Sequence, residues 1–535
     1  MSRVLVVATW GFPGNWLKER YSAAVPPANV DKWHRLSEWS IGGYVEAHSP
    51  TPVEAKALSE MGFDVGVVVY ALDSLSAVPR LSVPSDDDVR GKLVEELNKY
   101  VDGWLNKDPE GYGEVRGRAE KVAGLFVSGY FGEVGFPLDK VSTVVLPGTG
   151  VYALGPGSKG KRYVFRGSPQ NAAVAMELDL LERVDAFKPD AVVFDSTHGI
   201  NYLPIVAKRV VERVARVYSA LEGRKVCVAT VQSDTPAGGL AGLELGVMVV
   251  DVKVFSASPR EVLEELLPHF DSEPYRMLKK DEKVKPPDSL KELRKEFGEL
   301  KEVKPLAKAL VELAGYGLTL YLCSKVRELA GGDFSSMAGR LLERVRGALY
   351  ERDVASGGEV RVEHVYAFSD SVPGVLEAVY VLGRVVPRLA ELCGVDEQGF
   401  MGVDRLLEVG RSLGLTRLGE RLLGYEVSDV KRRVSAARDA GIELEGRVVP
   451  YAAVYDAVEG LLRKEGVGDS VRREAVEKFK EILGRGVKCD VDARNFYAHA
   501  GLERNVVEVK VQGGSVYVRY REECMENVRS VVEKG

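Results

Sequence analysis

The chain has 535 residues, 45% apolar and 28% charged, more than one hydrophobic core usually supports, so two or more globular domains are expected. No apolar run approaches the roughly 18 residues of a membrane span, and Met1-Ser-Arg-Val-Leu-Val-Val passes straight into a strand-like run with no signal-peptide pattern, so a cytoplasmic protein without a membrane partner is expected. A formal net charge of −6 excludes a global basic field for holding long nucleic acid, which leaves any RNA contact local.

The first 235 residues alternate β-branched runs with helical stretches, the pattern of a doubly wound parallel sheet. Five runs read as strands buried on both faces: Val4 to Ala8, Val65 to Tyr70, Val141 to Leu146, Ala191 to Phe194 and Val226 to Val231. Open α/β sheets bind ligands beyond the carboxyl ends of their strands. The residues that follow these runs are polar or glycine-rich: Thr9-Trp10-Gly11, Ala71-Leu-Asp-Ser, Pro147-Gly-Thr149-Gly150, Asp195-Ser196-Thr197-His198-Gly199-Ile200-Asn201 and Gln232-Ser233-Asp234-Thr-Pro. Between the first two runs, Thr51-Pro-Val-Glu predicts a helix capped by Thr51 and stopped at Gly62. A second helix is expected to start at the acidic cluster Asp86-Asp87-Asp88, where the helix dipole favours negative charge.

Two near-motifs fail on context. Gly155-Pro-Gly-Ser-Lys-Gly-Lys161 has Arg162 where a phosphate loop needs a hydroxyl, and strand-like Tyr163-Val-Phe where it needs a helix. Gly148-Thr-Gly-Val-Tyr-Ala153 resembles a dinucleotide fingerprint but runs into Gly, Pro and Lys. The loop Asp195 to Asn201 is more informative, because it joins a buried strand to a helix beginning near Leu203. Its small residues let backbone N–H groups approach a polyanion or nucleobase, and Ser196, Thr197, His198 and Asn201 add donors. A purely structural role remains open there, with Ser196 and Asn201 capping the helix and His198 satisfying a buried carbonyl.

From residue 256 strand signals nearly vanish. Residues 256–310 read as a charged helical linker centred on Pro286-Pro287, and 311–535 as a helical region. Leu318 to Leu329, Met337 to Tyr350, Gly374 to Leu392 and Ala452 to Leu462 carry apolar residues at helical spacing. Val506 to Tyr520 alternates around Gly513-Gly514 and predicts a β-hairpin. Cys227, Cys323, Cys393, Cys489 and Cys524 show no CxxC or Cys/His spacing, so neither a disulfide framework nor a structural metal site is expected.

Asp492-Ala-Arg494-Asn495-Phe496-Tyr497-Ala498-His499-Ala-Gly501 reads as a short helix with Asp492 as N-cap and Gly501 as stop. Five residues apart on a continuous helix, Arg494 and His499 diverge by roughly 140°. Two copies of the helix across a two-fold axis remove that difficulty. His499 is suited to proton transfer near neutral pH and Arg494 to stabilising a pentavalent phosphate, with no metal required.

Together the two constellations resemble the CRISPR-associated ancillary ribonucleases of type III systems, Csx family, which join an amino-terminal CARF sensor to a carboxyl-terminal HEPN nuclease. Ala8-Thr-Trp-Gly11, Phe165-Arg-Gly167 and Asp195 to Asn201 resemble the CARF part, and Arg494-Asn-Phe-Tyr-Ala-His499 matches the HEPN pattern of Arg, four to six residues, then His. The resemblance implies a Rossmann-like α/β CARF domain over 1–255 and, within 311–535, an all-α HEPN domain with a C-terminal β-hairpin, with room for an insertion. It implies a homodimer or higher oligomer of dimers, activated by a cyclic oligoadenylate, cyclic tetra-adenylate first, that cuts single-stranded RNA with no cofactor. Ligand-site candidates are then Thr9, Trp10, Gly11, Thr149, Gly150, Ser196, Thr197, His198, Gly199, Asn201, Ser233 and Asp234. Catalytic candidates are Arg494, His499 and Asn495. His198, beside ribose and phosphate, is also a candidate for cutting the activator. The competing expectation is a non-catalytic CARF regulator that binds DNA or a protein partner. It fits poorly with the acidic balance and the lack of a basic helix-turn-helix.

Overall fold

The computed structural model describes all residues except 86, 105–106, 154–161, 200–201, 235–241, 279–286, 302, 331–333, 464–467 and 535. The near-phosphate-loop stretch 155–161 and the candidate Asn201 lie outside the described residues. Two compact units emerge, neither contiguous in sequence. The first comprises 1–257, 268–301 and 338–378, and the second 258–267, 302–337 and 379–535. The segment that reads as a linker is therefore shared between the two units.

The first unit is built on a six-stranded sheet. Its order is Val247–Phe255, Val226–Ser233, Ala191–Asp195, Arg3–Thr9, Asp64–Leu72, Val141–Leu146. The five β-branched runs pair in parallel, with Val4 opposite both Val65 and Ala191, and the sixth strand closes one edge antiparallel. Strand direction reverses nowhere among those five, so their carboxyl ends share one edge, where doubly wound sheets hold ligands. The central strands are buried along nearly their whole length because helices cover both faces. In one crossover helix, Leu203–Glu222, the buried Ala207, Val210, Val211, Val214 and Ala215 repeat at three- and four-residue spacing and form a single apolar stripe.

Two sequence expectations change here and one holds. The helix expected to be capped by Thr51 begins two residues earlier: Ser49 caps Pro50–Glu60 and accepts from Thr51 N, which frees the Thr51 hydroxyl for other work. Helix Asp88–Trp104 starts at the acidic cluster, and Asp87 accepts from Arg90 N. The region after 256 also supplies strands. Glu359–Glu363 runs parallel to Arg162–Arg166 in a four-stranded sheet, with Val360 and Val362 buried. The period-2 alternation of that run is plain in the sequence, but five residues are too short to stand out among long helices.

The second unit is mainly helical, with Arg417–Asp439, Tyr451–Arg463 and Asp469–Arg485 as successive helices. It also holds a four-stranded antiparallel sheet. Val507–Gln512 and Ser515–Tyr520 pair around Gly513 and Gly514, whose positive φ values of 58° and 78° suit a two-residue hairpin turn. Val448–Pro450 and Met401–Gly402 extend the hairpin on either side, so this region is not all helix. Two disulfides, Cys323–Cys393 and Cys489–Cys524, overturn the expectation that the cysteines form no disulfide framework, and of the five cysteines Cys227 is left free. The partners stand 70 and 35 residues apart in sequence, and folding brings their Cα atoms to 5.6 and 5.2 Å, so no local spacing announces them.

Candidate ligand site and candidate nuclease centre

At the carboxyl edge of the large sheet the candidate loops are tied to one another. Gly11 N donates to His198 O at 2.8 Å, which fastens the first loop to the fourth. Ser233 N donates to Thr197 Oγ1 at 3.0 Å, and Ser196 N and Oγ both donate to Val231 O, which fastens the fourth to the fifth. Thr149 N donates to the Tyr202 hydroxyl at 3.2 Å, which joins the third loop to the segment after the fourth. Asp234 is committed to the edge: its carboxylate accepts from Gly246 N at 2.9 Å and its own N donates to Gly246 O. Ser196 caps no helix, because Leu203–Glu222 starts after Tyr202 without a side-chain cap.

Glycine is required at the centre of this edge. A Cβ on Gly199 would stand 2.0 Å from Pro204 Cγ and 2.6 Å from Thr9 Oγ1. The Thr9 hydroxyl is buried without a protein partner at that point of closest approach. Trp10 is 2% exposed, and its indole N–H donates to Thr51 Oγ1, which in turn donates to buried Asp195 at 2.5 Å. Burial raises the Asp195 carboxyl above its ordinary range, although Thr197 and Thr51 hydrogen bonds pull the other way. Nearby Glu54, fully enclosed and holding Ala24 N at 2.8 Å, is pushed up to about 8 by desolvation. Trp10 and Thr51 thus brace the loop from behind.

His198 satisfies no buried carbonyl. Its ring stacks on Trp16 with centroids 3.8 Å apart and planes at 18°, and Nε2 is buried without a partner. The residue keeps some exposed surface overall, yet burial of the ring lowers its pKa to about 3. The imidazole is therefore neutral at any physiological pH, an acceptor and stacking surface rather than a proton donor.

The third loop rests on a buried ion pair that sequence reading missed. Asp73 accepts from Gly148 N at 2.8 Å and from the Tyr112 hydroxyl at 3.0 Å, and it pairs with Arg352, whose side chain is fully enclosed. Arg352 also donates to the carbonyls of Gly148, Arg166 and Val362. Burial still raises the Asp73 carboxyl in spite of the guanidinium beside it, so desolvation outweighs attraction. This pair holds in place Gly148 and hence the adjoining Thr149 and Gly150.

In the second unit, Asp492 caps Ala493–Ala498 by accepting from Asn495 N at 2.9 Å, and Phe496 is fully buried as the anchor. The helix ends at Ala498. His499 lies beyond it at φ −99°, ψ 23°, and Ala500 and Gly501 take positive φ. His499 N still donates to Asn495 O at 2.9 Å, so the residue caps the last turn of the helix. A Cβ on Gly501 would stand 2.9 Å from the Tyr520 hydroxyl, which donates to Gly501 O. The hairpin strand thus fixes the turn that presents His499.

Arg494 and Asn495 are exposed on the first turn. His499 Nδ1 meets Glu426 Oε1 at 2.9 Å. An ionised carboxylate only accepts, so Nδ1 carries the proton and Nε2 is left for other partners. The Glu426 hydrogen bond raises the His499 pKa above the ordinary imidazole value against partial desolvation, and Glu503 and Asp429 add to it. Glu426 was invisible in the sequence, 73 residues away on another helix. Among the described residues the one grouping of three metal-type ligands is Cys489, Glu523 and Cys524, and its cysteines are joined in a disulfide. No helix among the described residues is long and apolar enough to cross a membrane.

Comparison with known proteins places both halves. The model of the CARF domain of the CRISPR system endoribonuclease Csx1 matches residues 5–236, within the first unit, and that of the Csx1 HEPN domain matches residues 420–522, within the second. No curated protein matches the chain. The order of the two matches and the Arg494 to His499 motif inside the second agree, and the chain belongs to the CRISPR-associated CARF-HEPN ribonucleases of the Csx1 family, regulated through the CARF domain.

Proposed function

We propose that this protein cuts single-stranded RNA by attack of a ribose 2′-hydroxyl, without a metal ion, and that a cyclic oligoadenylate bound at the strand edge of the first unit switches the cleavage on. The observation that carries the reading is the His499–Glu426 pair at the end of the short helix that carries Arg494. Glu426 fixes the tautomer, so Nε2 is the atom that takes the 2′-hydroxyl proton or returns a proton to the leaving 5′-oxygen. The P–O5′ bond breaks as the 2′-O–P bond forms, and Arg494 compensates the added charge on the phosphoryl oxygens, with Asn495 as a neutral donor next to it. DNA lacks the nucleophile and is spared. In this reading two motif helices meet across a homodimer, one protomer completing its partner's site.

At the other end, the unpartnered Thr9 hydroxyl and the small residues around Gly199 support close approach of a phosphate or ribose. A two-fold symmetric ring, cyclic tetra-adenylate first, fits paired sensors and acts by binding the nuclease-competent arrangement more tightly than the resting one. The test is cleavage of a fluorescent single-stranded RNA in chelator, with and without cyclic tetra-adenylate or cyclic hexa-adenylate, by wild type and His499→Ala. Cleavage by wild type alone, stimulated by one ring, is expected. Equal cleavage by both proteins refutes the catalytic assignment, and cleavage indifferent to either ring refutes the switch.

A further inference from the structure

A cavity of ≈ 500 Å³ opens beside the motif helix within the second unit. Its floor includes buried Leu313 and Leu318, and its walls are Tyr316, Tyr321 and Tyr497. Tyr497 belongs to the motif itself. Three residues after Arg494, it shares that residue's helix face about 4.5 Å along the axis. Tyr316 meets Tyr497 edge to face, centroids 5.0 Å apart at 68°, yet it remains 49% exposed. An edge-to-face pair leaves one ring with both faces uncovered by the other. Lys308 and Glu312 also line the cavity, paired at 3.4 Å with both side chains more than half exposed. The volume lies within the roughly 300–1,000 Å³ of small-ligand pockets.

An apolar floor, the half-exposed Tyr316, two lysines (Lys308 and Lys325) and two carboxylates (Glu312 and Glu533) line a cavity that reaches Tyr497 on the helix of the arginine assigned to the scissile phosphate. Unstacked bases of single-stranded RNA dock on such rings and are read along their edges. We infer that this cavity takes a nucleobase flanking the scissile phosphate, which makes Tyr316, Tyr497 and Glu312 specificity-determining residues for the RNA; the inference rests on the nuclease reading above. Glu312 accepts from an exocyclic amine, which adenine, cytosine and guanine carry and uracil lacks. Lys308 offsets the neighbouring phosphate. The Tyr497 phenol, raised by burial and by Tyr316 and Glu312, stays a neutral donor.

The experiment uses the full chain with cyclic tetra-adenylate or cyclic hexa-adenylate and a DNA strand carrying a single ribonucleotide, so that one phosphate is cleavable. The base on either side is adenine, uracil or abasic. Stacking on an aromatic platform predicts that at one flanking position the abasic strand raises KM about 5- to 150-fold over adenine. Tyr316→Ala abolishes that ratio chiefly through KM, Tyr316→Phe retains it, and Glu312→Gln erases only the preference of adenine over uracil. An undiminished ratio in Tyr316→Ala, or a change confined to oligomeric mass by light scattering, overturns the inference. So does a wild type that cuts every strand equally. If wild type cuts no ribonucleotide-containing strand with either ring, the nuclease reading fails first and this inference falls with it.

Discussion

His198 and His499 sit at the two chemically suggestive places of the chain, and their surroundings are opposites. His198 is stacked on Trp16 with no carboxylate bonded to it, its pKa lowered to about 3. His499 is half-buried, bonded to Glu426, its pKa raised. A histidine that works by proton transfer needs both protonation states within reach and one nitrogen free. His499 has these, and His198 has neither a second state near neutral pH nor a carboxylate to fix its tautomer. Under the proposed function the sensor edge recognises and the motif turn reacts, and the neutral ring of His198 argues against it as a proton donor toward a bound activator.

The comparison breaks most decisively at His499. Replacing it with Asn is expected to lower RNA cleavage by about 10²- to 10⁴-fold, whereas His198→Asn should act on the activator concentration for half-maximal cleavage. Initial rates over an activator titration separate the two, and a His198 variant that loses rate at saturating activator would falsify the division of labour.

Next in size is the support of the sensor edge. Arg352→Met leaves Asp73 buried and unpaired, and breaking such a pair costs about 3–5 kcal/mol. Urea unfolding of the full chain should show the loss, together with weaker activator binding through the Gly148 loop. A double variant, Arg352→Met with Asp73→Leu, is expected to recover part of the stability. Unchanged unfolding in the single variant removes Arg352 from the account.

Glu426→Gln tests the other half more gently. Losing the charge that raises His499 should move the pH midpoint of the cleavage rate downward toward the ordinary imidazole value. The maximal rate should fall by about 10- to 100-fold, since an orienting partner is weakened and not removed. An unmoved midpoint means that another group sets the profile.

The sequence made some of this legible and hid the rest for a single reason. Val4 to Ala8 and Ala191 to Phe194 announce themselves as strands because burial on both faces demands β-branched runs, and the polar residues after them mark the candidate ligand edge. Asp492 signals its helix because capping is local: the carboxylate bonds to Asn495 N three residues on. The Thr51 hydroxyl on Asp195, the Arg352–Asp73 pair spanning 279 residues, Glu426 behind His499, and both disulfides depend on which distant elements the topology sets side by side. No periodicity or spacing encodes those meetings. The candidate residues were therefore readable, while the groups that position and tune them were not.

The smallest effect is also the one in which the two histidines must differ in sign. Unfolded, each titrates near 6.5. His198, lowered to about 3 in the folded chain, contributes stability that is complete above pH 6.5 and drains away as pH falls through the window from 6.5 to 3. The loss is about 1.4 kcal/mol per pH unit, or about 2 kcal/mol by pH 5. Buried His364, also lowered to about 3, adds a loss of the same sign in the first unit. His499 is raised, so its contribution is complete below 6.5 and is lost as pH rises through its folded pKa. Unfolding free energies of wild type, His198→Asn and His499→Asn at pH 7.5 and 5.0 isolate each term by difference. On acidification the wild type's advantage over His198→Asn should shrink by about 2 kcal/mol, and its advantage over His499→Asn should grow. Two differences that move the same way would mean that both rings share one electrostatic environment, and the contrast between a recognising edge and a reacting turn would lose its physical basis.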